Sequence, residues 1–297
     1  MKLAAIDIGS NAIKLLLCQA EADGTEIHCK KDAFLRVPIR LGDDVFRTQR
    51  LSDDKIEGLI EALTAFKHLI QAYHPVGYSA YATAAMREAA NAPEILAQTK
   101  ERTQIDIEII DGRREAEILY SNGYAEKVSR RQNCLLIDVG GGSTELTIIS
   151  KSKFVNSKSF DIGTVRMITG TDDKTEWRDM QRWVKAQAQE YGPLLGIGTG
   201  GSINKIVKVS RTKPGKPLSF RTLRKTCEFL IEHSLEEKIQ VLKLIPNRAD
   251  VIEPAGKIFL LLMDWAAIKK LYVPQLGLAD GMIRLLYERH RKAAHQS

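Results

Sequence analysis

A protein that holds a phosphate must aim several N–H donors at one point, and a turn without bulky Cβ groups can do so. Three stretches have that composition: Gly9-Ser10-Asn11, Gly140-Gly141-Gly142-Ser143 and Gly198-Thr199-Gly200-Gly201-Ser202. An aspartate precedes the first two at the same offset, Asp7 and Asp138, each just after an apolar run. A carboxylate beside a phosphate turn repels the phosphate unless a cation stands between them. Mg2+ suits that place, because it takes one or two carboxylates together with waters and substrate phosphates. Singly, each turn reads better as a plain connection than as a phosphate site; their recurrence with an aspartate alters that balance.

The elements that must position these turns follow from periodicity. Residues 3–9 form a buried strand ending in a turn, and residues 13–20 a second strand, so the first turn is a hairpin. Ser52 caps a helix through residue 73, with Ile56, Leu59, Ile60, Leu63, Phe66, Leu69 and Ile70 on one stripe. A strand (76–82), a short helix (83–90), a helix capped by Asn91 (to 102), a strand (105–110) and a helix (113–124) continue the alternation expected of an α/β domain. Residues 126–132 are polar and read as a domain joint. At Cys134 the opening pattern returns: Ile137-Asp138-Val139-Gly140 mirrors Ile6-Asp7-Ile8-Gly9 at an offset of 131 residues. That period is too long for a solenoid and indicates duplication of a whole domain. Beyond the second hairpin the pattern predicts a strand (153–161), a helix (173–189), a strand (194–197), and a helix near Ser202 whose N-terminus adds positive character to the third turn. A loop at 212–217, a buried helix at 253–271 and an amphipathic helix at 281–289 complete the reading.

Charge is unevenly spread. The chain has 297 residues and a net charge of +7; residues 1–122 hold 15 basic and 19 acidic side chains, and residues 123–297 hold 29 and 18. The second half therefore favours anions, most of all in the tract Lys205, Lys208, Arg211, Lys213, Lys216, Arg221, Arg224, Lys225, which contains no acidic residue. A solvated face and an anion-binding rail are both open readings of that tract. With 44% apolar and 27% charged residues the chain suits two globular domains and excludes collagen-like or disordered architecture. No apolar run approaches the roughly 20 residues of a membrane span. An early Asp7 and the lack of an apolar leader point to the cytoplasm. Cys18, Cys29, Cys134 and Cys227 lack C-x-x-C spacing and read as reduced core residues, and the six histidines form no ligand pattern.

Six segments together resemble the exopolyphosphatase / guanosine pentaphosphate phosphohydrolase (Ppx/GppA) family. They are Asp7 to Asn11, the 82–91 segment containing Thr83, Arg87 and Asn91, Gly112-Arg113-Arg114-Glu115-Ala116, Asp138 to Glu145, Gly163-Thr164-Val165-Arg166 and Gly198 to Ser202. The resemblance covers nearly the whole chain, and Gly-Gly-Gly-Ser-Thr-Glu is its most specific part. It implies two duplicated actin/Hsp70/sugar-kinase-like (ribonuclease H-like) α/β domains with an interdomain cleft. Domains at 1–124 and 125–280 are expected, with the terminal helix (281–297) packed back on the first. Arg114 stands where the family often has Glu, Ala279-Asp280-Gly281 replaces Arg-Glu-Gly, and Ala12 replaces a frequent Ser.

The resemblance also implies roles. Glu115 matches the carboxylate that positions or deprotonates the attacking water, and Glu145 a second carboxylate that holds the water or the metal. Asp7, Asp138 and Glu145 would bind Mg2+. Gly9, Ser10, Asn11, Arg87, Asn91, Gly140, Gly141, Gly142, Ser143, Thr199, Gly200, Gly201 and Ser202 would hold phosphate, although Asn91 serves equally as a helix cap, and Arg166 is a further candidate. Read as residues alone, Glu115 is better explained as a solvated first-turn glutamate, and Glu145 can be an exposed strand residue. The expected activity is release of terminal phosphate from inorganic polyphosphate, guanosine pentaphosphate or both, without membrane or specific nucleic-acid partners. A homodimer is left open. A non-catalytic polyphosphate or nucleotide sensor and an ATP-dependent kinase of the same fold are the alternatives.

Overall fold

The computed structural model describes residues 1–23, 26–124, 128 and 132–294. Most of the expected joint at 126–132 lies outside the described residues. The chain forms two compact units, Met1–Asn122 with Leu278–Ser297, and Gly123–Gly277.

The first unit is built on β1 (Lys2–Ile8), β2 (Ile13–Asp23), β3 (Glu26–Val37), β4 (Gly77–Ala82) and β5 (Glu108–Ile109), in the order β3-β2-β1-β4-β5. β1 pairs antiparallel with β2 and parallel with β4, so it is central, and Leu3 to Ile8 are buried throughout. This is why it reads as a continuous apolar run rather than an alternating one. Its helices are α1 (Gly42–Thr48), α2 (Asp53–Tyr73), α3 (Ala84–Glu88), α4 (Ala92–Thr103) and α5 (Gly112–Tyr120). α2 buries Leu59, Ile60, Leu63, Phe66 and Ile70 along the expected stripe. α5 starts at Asp111, whose side chain accepts a hydrogen bond from the Arg114 N–H at 2.7 Å.

The second unit contains β6 (Cys134–Val139), β7 (Thr144–Ser150), β8 (Lys153–Phe160), β9 (Leu195–Thr199), β10 (Leu218–Ser219) and β11 (Lys270–Tyr272) in the order β10-β11-β9-β6-β7-β8. Read from the opposite edge, β8-β7-β6-β9-β11 repeats the first sheet strand for strand, with β10 added outside. The duplicated α/β frame expected from the 131-residue repeat is thus present, in the actin-like form that the family resemblance implies. Its helices are α6 (Thr164–Thr169), α7 (Lys174–Tyr191), α8 (Gly201–Val209), α9 (Phe220–Glu232), α10 (Leu235–Gln240), α11 (Pro246–Ala249) and α12 (Ile252–Trp265). Leu135, Ile137, Leu146, Ile203, Phe259 and Leu262 are at the centre of its core. The last helix, α13 (Leu278–Ala294), returns to the first unit and packs on β1, β2 and α5.

Several boundaries differ from expectation. The helix expected over 253–271 stops at Trp265; Ala267 takes φ 51°, and Lys270–Tyr272 become a strand parallel to β9. Apolar residues continue from the helix through Ala266, Ala267 and Ile268 to Leu271 with no proline or glycine between, so periodicity does not divide helix from strand. The strand expected at 105–110 shrinks to two residues, and β3, α1 and α6 were not foreseen. The final helix is longer than 281–289 at both ends.

Candidate phosphate and metal site

The Gly140–Ser143 turn joins β6 to β7, closed by a Gly140 N–H donating to Ser143 O at 2.9 Å. Its carbonyls are tied to the start of α6. The Thr164 N–H donates to Gly140 O (3.0 Å), the Val165 N–H to Gly141 O (2.8 Å), and Arg166 Nε to Gly142 O (2.7 Å). In a planar trans peptide the N–H points away from the C=O. Anchoring three successive carbonyls on α6 therefore turns the N–H groups of Gly141, Gly142 and Ser143 to the opposite side, as an anion nest. Gly163, which precedes α6, permits this approach: a Cβ there would lie 2.5 Å from Gly141 C and 2.6 Å from Gly142 C, besides striking Gly141 O. Arg166, buried at 7% exposure, supports the turn.

The first unit uses the same device in reduced form. The Gly9 N–H donates to Ala12 O at 3.2 Å, and the N–H of Gly42, at the start of α1, donates to Ser10 O at 2.9 Å. α1 thus stands to the first turn as α6 stands to the second. Ser10 is 3% exposed, and among the described residues its Oγ has no hydrogen-bond partner. A buried hydroxyl in that condition costs about 1–3 kcal/mol, which a phosphate oxygen would offset. Asn11 Oδ1 accepts from Arg40 Nε at 3.0 Å.

At the third turn, Gly200 has φ +106°, a conformation open to glycine, and α8 begins at Gly201. A Cβ on Gly201 would lie 3.9 Å from Arg248 Cζ and Nη2, so a guanidinium stands beside the helix N-terminus. Burial holds Arg248 below the ordinary guanidinium pKa. Lys205, one turn into α8, is lowered first by burial and then by the charges of Arg248 and Lys208. Sequence reading missed Arg248, which sits in a one-turn helix with no pattern around it. Only its proximity to the turn reveals it. In the remainder of the basic tract, Arg211, Lys213, Lys216, Arg221, Arg224 and Lys225 are exposed.

The carboxylates fall into two cross-strand rows. In the second unit Thr199, Asp138, Glu145 and Ser159 are successive partners across β9, β6, β7 and β8. Thr199 Oγ1 donates to Asp138 Oδ1 at 2.5 Å and Ser159 Oγ to Glu145 Oε1 at 2.8 Å. Asp138 and Glu145 are directly opposite each other, a like-charge pairing that destabilises a sheet unless a cation joins it. In the first unit the equivalent row is Tyr81, Asp7, Lys14 and Arg36, with Lys14 at the position matching Glu145. Lys14 Nζ donates to Asp7 Oδ2 at 2.6 Å. Asp7 therefore has an ammonium of the same chain as its counter-charge.

Glu145 is 2% exposed and Glu115 7%, so neither is the solvated residue that the sequence alone allowed. Glu115 is in the first turn of α5, on the face that also buries Ile118 and Leu119. Arg87, on α3, donates from Nη1 to Ile110 O at 2.9 Å. Asn91 makes no cap bond; its Oδ1 accepts from the Leu51 N–H (3.1 Å) and its Nδ2 donates to Leu51 O (3.0 Å), both buried. That two-way clamp ties α4 to the segment before α2, a structural use distinct from both earlier readings.

Two duplicated α/β units, each opening on a glycine-turn hairpin and one carrying an acidic cross-strand pair, define a protein of the two-domain actin-like fold. Comparison with known proteins narrows this. Residues 33–290 match the model of the Ppx/GppA phosphatase family, and the chain belongs to that family. It is similar to the crystal structure of the Aquifex aeolicus family member, at 26% identity and TM-score 0.77 over 98% of both chains. Its fold also matches an exopolyphosphatase from Cytophaga hutchinsonii, at 20% identity and TM-score 0.84 over 97% of this chain and 98% of that one. A curated relative, the bifunctional 3-dehydroquinate synthase/phosphatase of Fusobacterium nucleatum subsp. nucleatum, is 32% identical over 169 residues, 55% of this chain. The matched segment spans a quarter of that relative's length. Among the described residues no helix is long and apolar enough to cross a membrane.

Proposed function

We propose that this phosphatase releases the terminal phosphate of inorganic polyphosphate, of guanosine pentaphosphate, or of both. The observation that carries the reading is the anchoring of three turn carbonyls on α6, which presents a fan of backbone N–H groups next to the Asp138–Glu145 pair. Hydrolysis of a phosphoanhydride needs charge neutralisation and an oriented water rather than covalent help.

Hard oxygen donors paired across β6 and β7 fit a small divalent cation, so Asp138 and Glu145 would hold Mg2+, with Asp7 left to its lysine. When bound, the cation neutralises charge on the substrate phosphate. The N–H groups of Gly141, Gly142 and Ser143 bind the terminal phosphoryl oxygens, with Gly9, Ser10 and Asn11 in the equivalent role in the first unit. Arg87 and Arg248, with the start of α8 from Thr199 to Ser202, hold the remaining anionic oxygens. Glu115 orients the attacking water and takes its proton. The basic tract carries the rest of a polyanionic chain, and the protein acts in the cytoplasm.

Phosphate release from long-chain polyphosphate and from guanosine pentaphosphate, each with and without Mg2+, tests the reading. Turnover should require the cation. Glu115→Gln should retain substrate affinity and lose about 10²–10⁴-fold in kcat. Undiminished turnover removes Glu115 from the mechanism, and binding without turnover by the native chain would make it a sensor.

A further inference from the structure

Cys18 on β2 and Cys29 on β3 form the one thiol pair in mutual contact among the described residues. In the β2–β3 register Cys18 opposes Lys31 and Ala20 opposes Cys29, so the two cysteines are diagonal neighbours on one face of the sheet. A register shift lies between Leu17 and Cys18. The Cys18 thiol donates to Gln19 O at 3.5 Å, and the two sulfurs are close enough for each to shift the other's ionisation, Cys18 upward and Cys29 downward. Above them α13 contributes Asp280, ion-paired with Lys31 at 2.6 Å, and Arg284.

The four cysteines are not equivalent. Burial pushes the thiols of Cys134 and Cys227 up to about 12, which makes both inert. Cys29 is only half-buried, and its pKa is lowered, first by the interaction with Cys18 and then by Arg284 and Lys31, against the raising effects of burial and Asp280. Cys18 is fully buried and its thiol is raised, chiefly by the same interaction, so of the two Cys29 is the one that ionises more readily.

We infer that Cys18 and Cys29 are a reversible dithiol site that reacts with hydroperoxides, Cys29 being attacked first and Cys18 resolving it. The Cys29 thiolate attacks the outer oxygen of the hydroperoxide; an S–O bond forms, the O–O bond breaks, and the leaving oxygen takes a proton as an alcohol or water. The Cys18 sulfur then attacks Cys29, forming the S–S bond and releasing water that carries the Cys18 proton. Two thiols are oxidised by two electrons and one hydroperoxide is reduced. The crosslink would tie β2 to β3 four residues beyond Lys14, the partner of Asp7.

The test treats the full chain with a small excess of hydrogen peroxide and maps thiols by mass spectrometry, independently of any phosphatase activity. Cleavage after Lys14 and Lys30 puts both cysteines in the peptide 15–30, which should lose two hydrogens and regain them with dithiothreitol. Further cleavage after Glu21 and Glu26 should leave the Cys18 and Cys29 fragments joined. Cys18→Ser should instead leave a sulfenic acid on Cys29 that dimedone traps. Separate, alkylatable Cys18 and Cys29 fragments after peroxide, or dimedone label spread equally over the remaining cysteines of the variant, would overturn the proposal.

Discussion

Replacing Gly163 by alanine strikes the proposed anion nest without substituting any residue assigned to the substrate. The added Cβ would lie 2.5 Å from Gly141 C, whereas ordinary contact begins at 3.4 Å, so turn and helix must separate by roughly 0.9 Å. Gly163 is in extended backbone at φ −149°, which alanine also adopts, so the effect is steric rather than conformational. Separation weakens the bonds from Thr164, Val165 and Arg166 that set the direction of the turn's N–H groups. Overpacking of this kind costs about 1–3 kcal/mol. At about 2–4 °C per kcal/mol for a unit of this size, the melting temperature should fall by several degrees. A misplacement near 1 Å costs about a hundredfold in rate. Initial rates of phosphate release from polyphosphate, with thermal melting followed by circular dichroism, measure both. Gly170→Ala is the control: it incurs left-handed strain at φ +70° but meets nothing within 4 Å, so it should lower stability and spare the rate. If Gly163→Ala keeps its rate within threefold of the native chain, the reasoning that α6 sets the nest is refuted.

Arg248→Met keeps most of the side-chain volume but removes the guanidinium beside α8. Loss of a charge-assisted hydrogen bond of about 1.5–3 kcal/mol should lower kcat/KM roughly ten- to a hundredfold, and an unchanged value places Arg248 outside the substrate's reach. Lys205, lowered below the ordinary lysine range, should be among the first lysines of the tract to lose its proton as pH rises, and proton loss removes a positive charge. Polyphosphate affinity measured between pH 7 and 10 should therefore fall on the alkaline side, and Lys205→Arg should flatten the drop. A native profile that is already flat removes Lys205 from the binding rail.

The repeat was legible because both opening hairpins need the same parts in the same order: a fully buried strand, an aspartate, a glycine turn and a return strand. The glycines were legible as turn residues for the same reason. What holds the turns was not. Thr164 and Val165 act through their backbone N–H groups, and backbone donors leave no mark on residue type. The different fates of Asp7 and Asp138 depend on cross-strand register, which places Lys14 opposite one and Glu145 opposite the other. Both residues were visible in the sequence, but their pairing requires knowing where each hairpin turns. Asn91 was ambiguous because its amide serves a cap, a ligand or a backbone clamp equally well, and only the position of Leu51 decides. Arg248 reaches the third turn from 47 positions further along the chain, a contact that no local pattern encodes.

The first unit draws its residues from both sides of the second, and this orders its biosynthesis. Met282, Ile283 and Leu286 of α13 are buried, and Ser121 Oγ donates to Gly281 O at 3.4 Å, yet residues 123 to 277 must be translated between those two partners. At about 5–20 residues per second that interval lasts on the order of ten to thirty seconds. Until it ends, the apolar ground on β1 and α5 waits for its covering helix. The nascent chain therefore passes through a stage in which the later-made unit can mature first while the earlier-made one stays sticky, the kind of client that ribosome-associated chaperones shield.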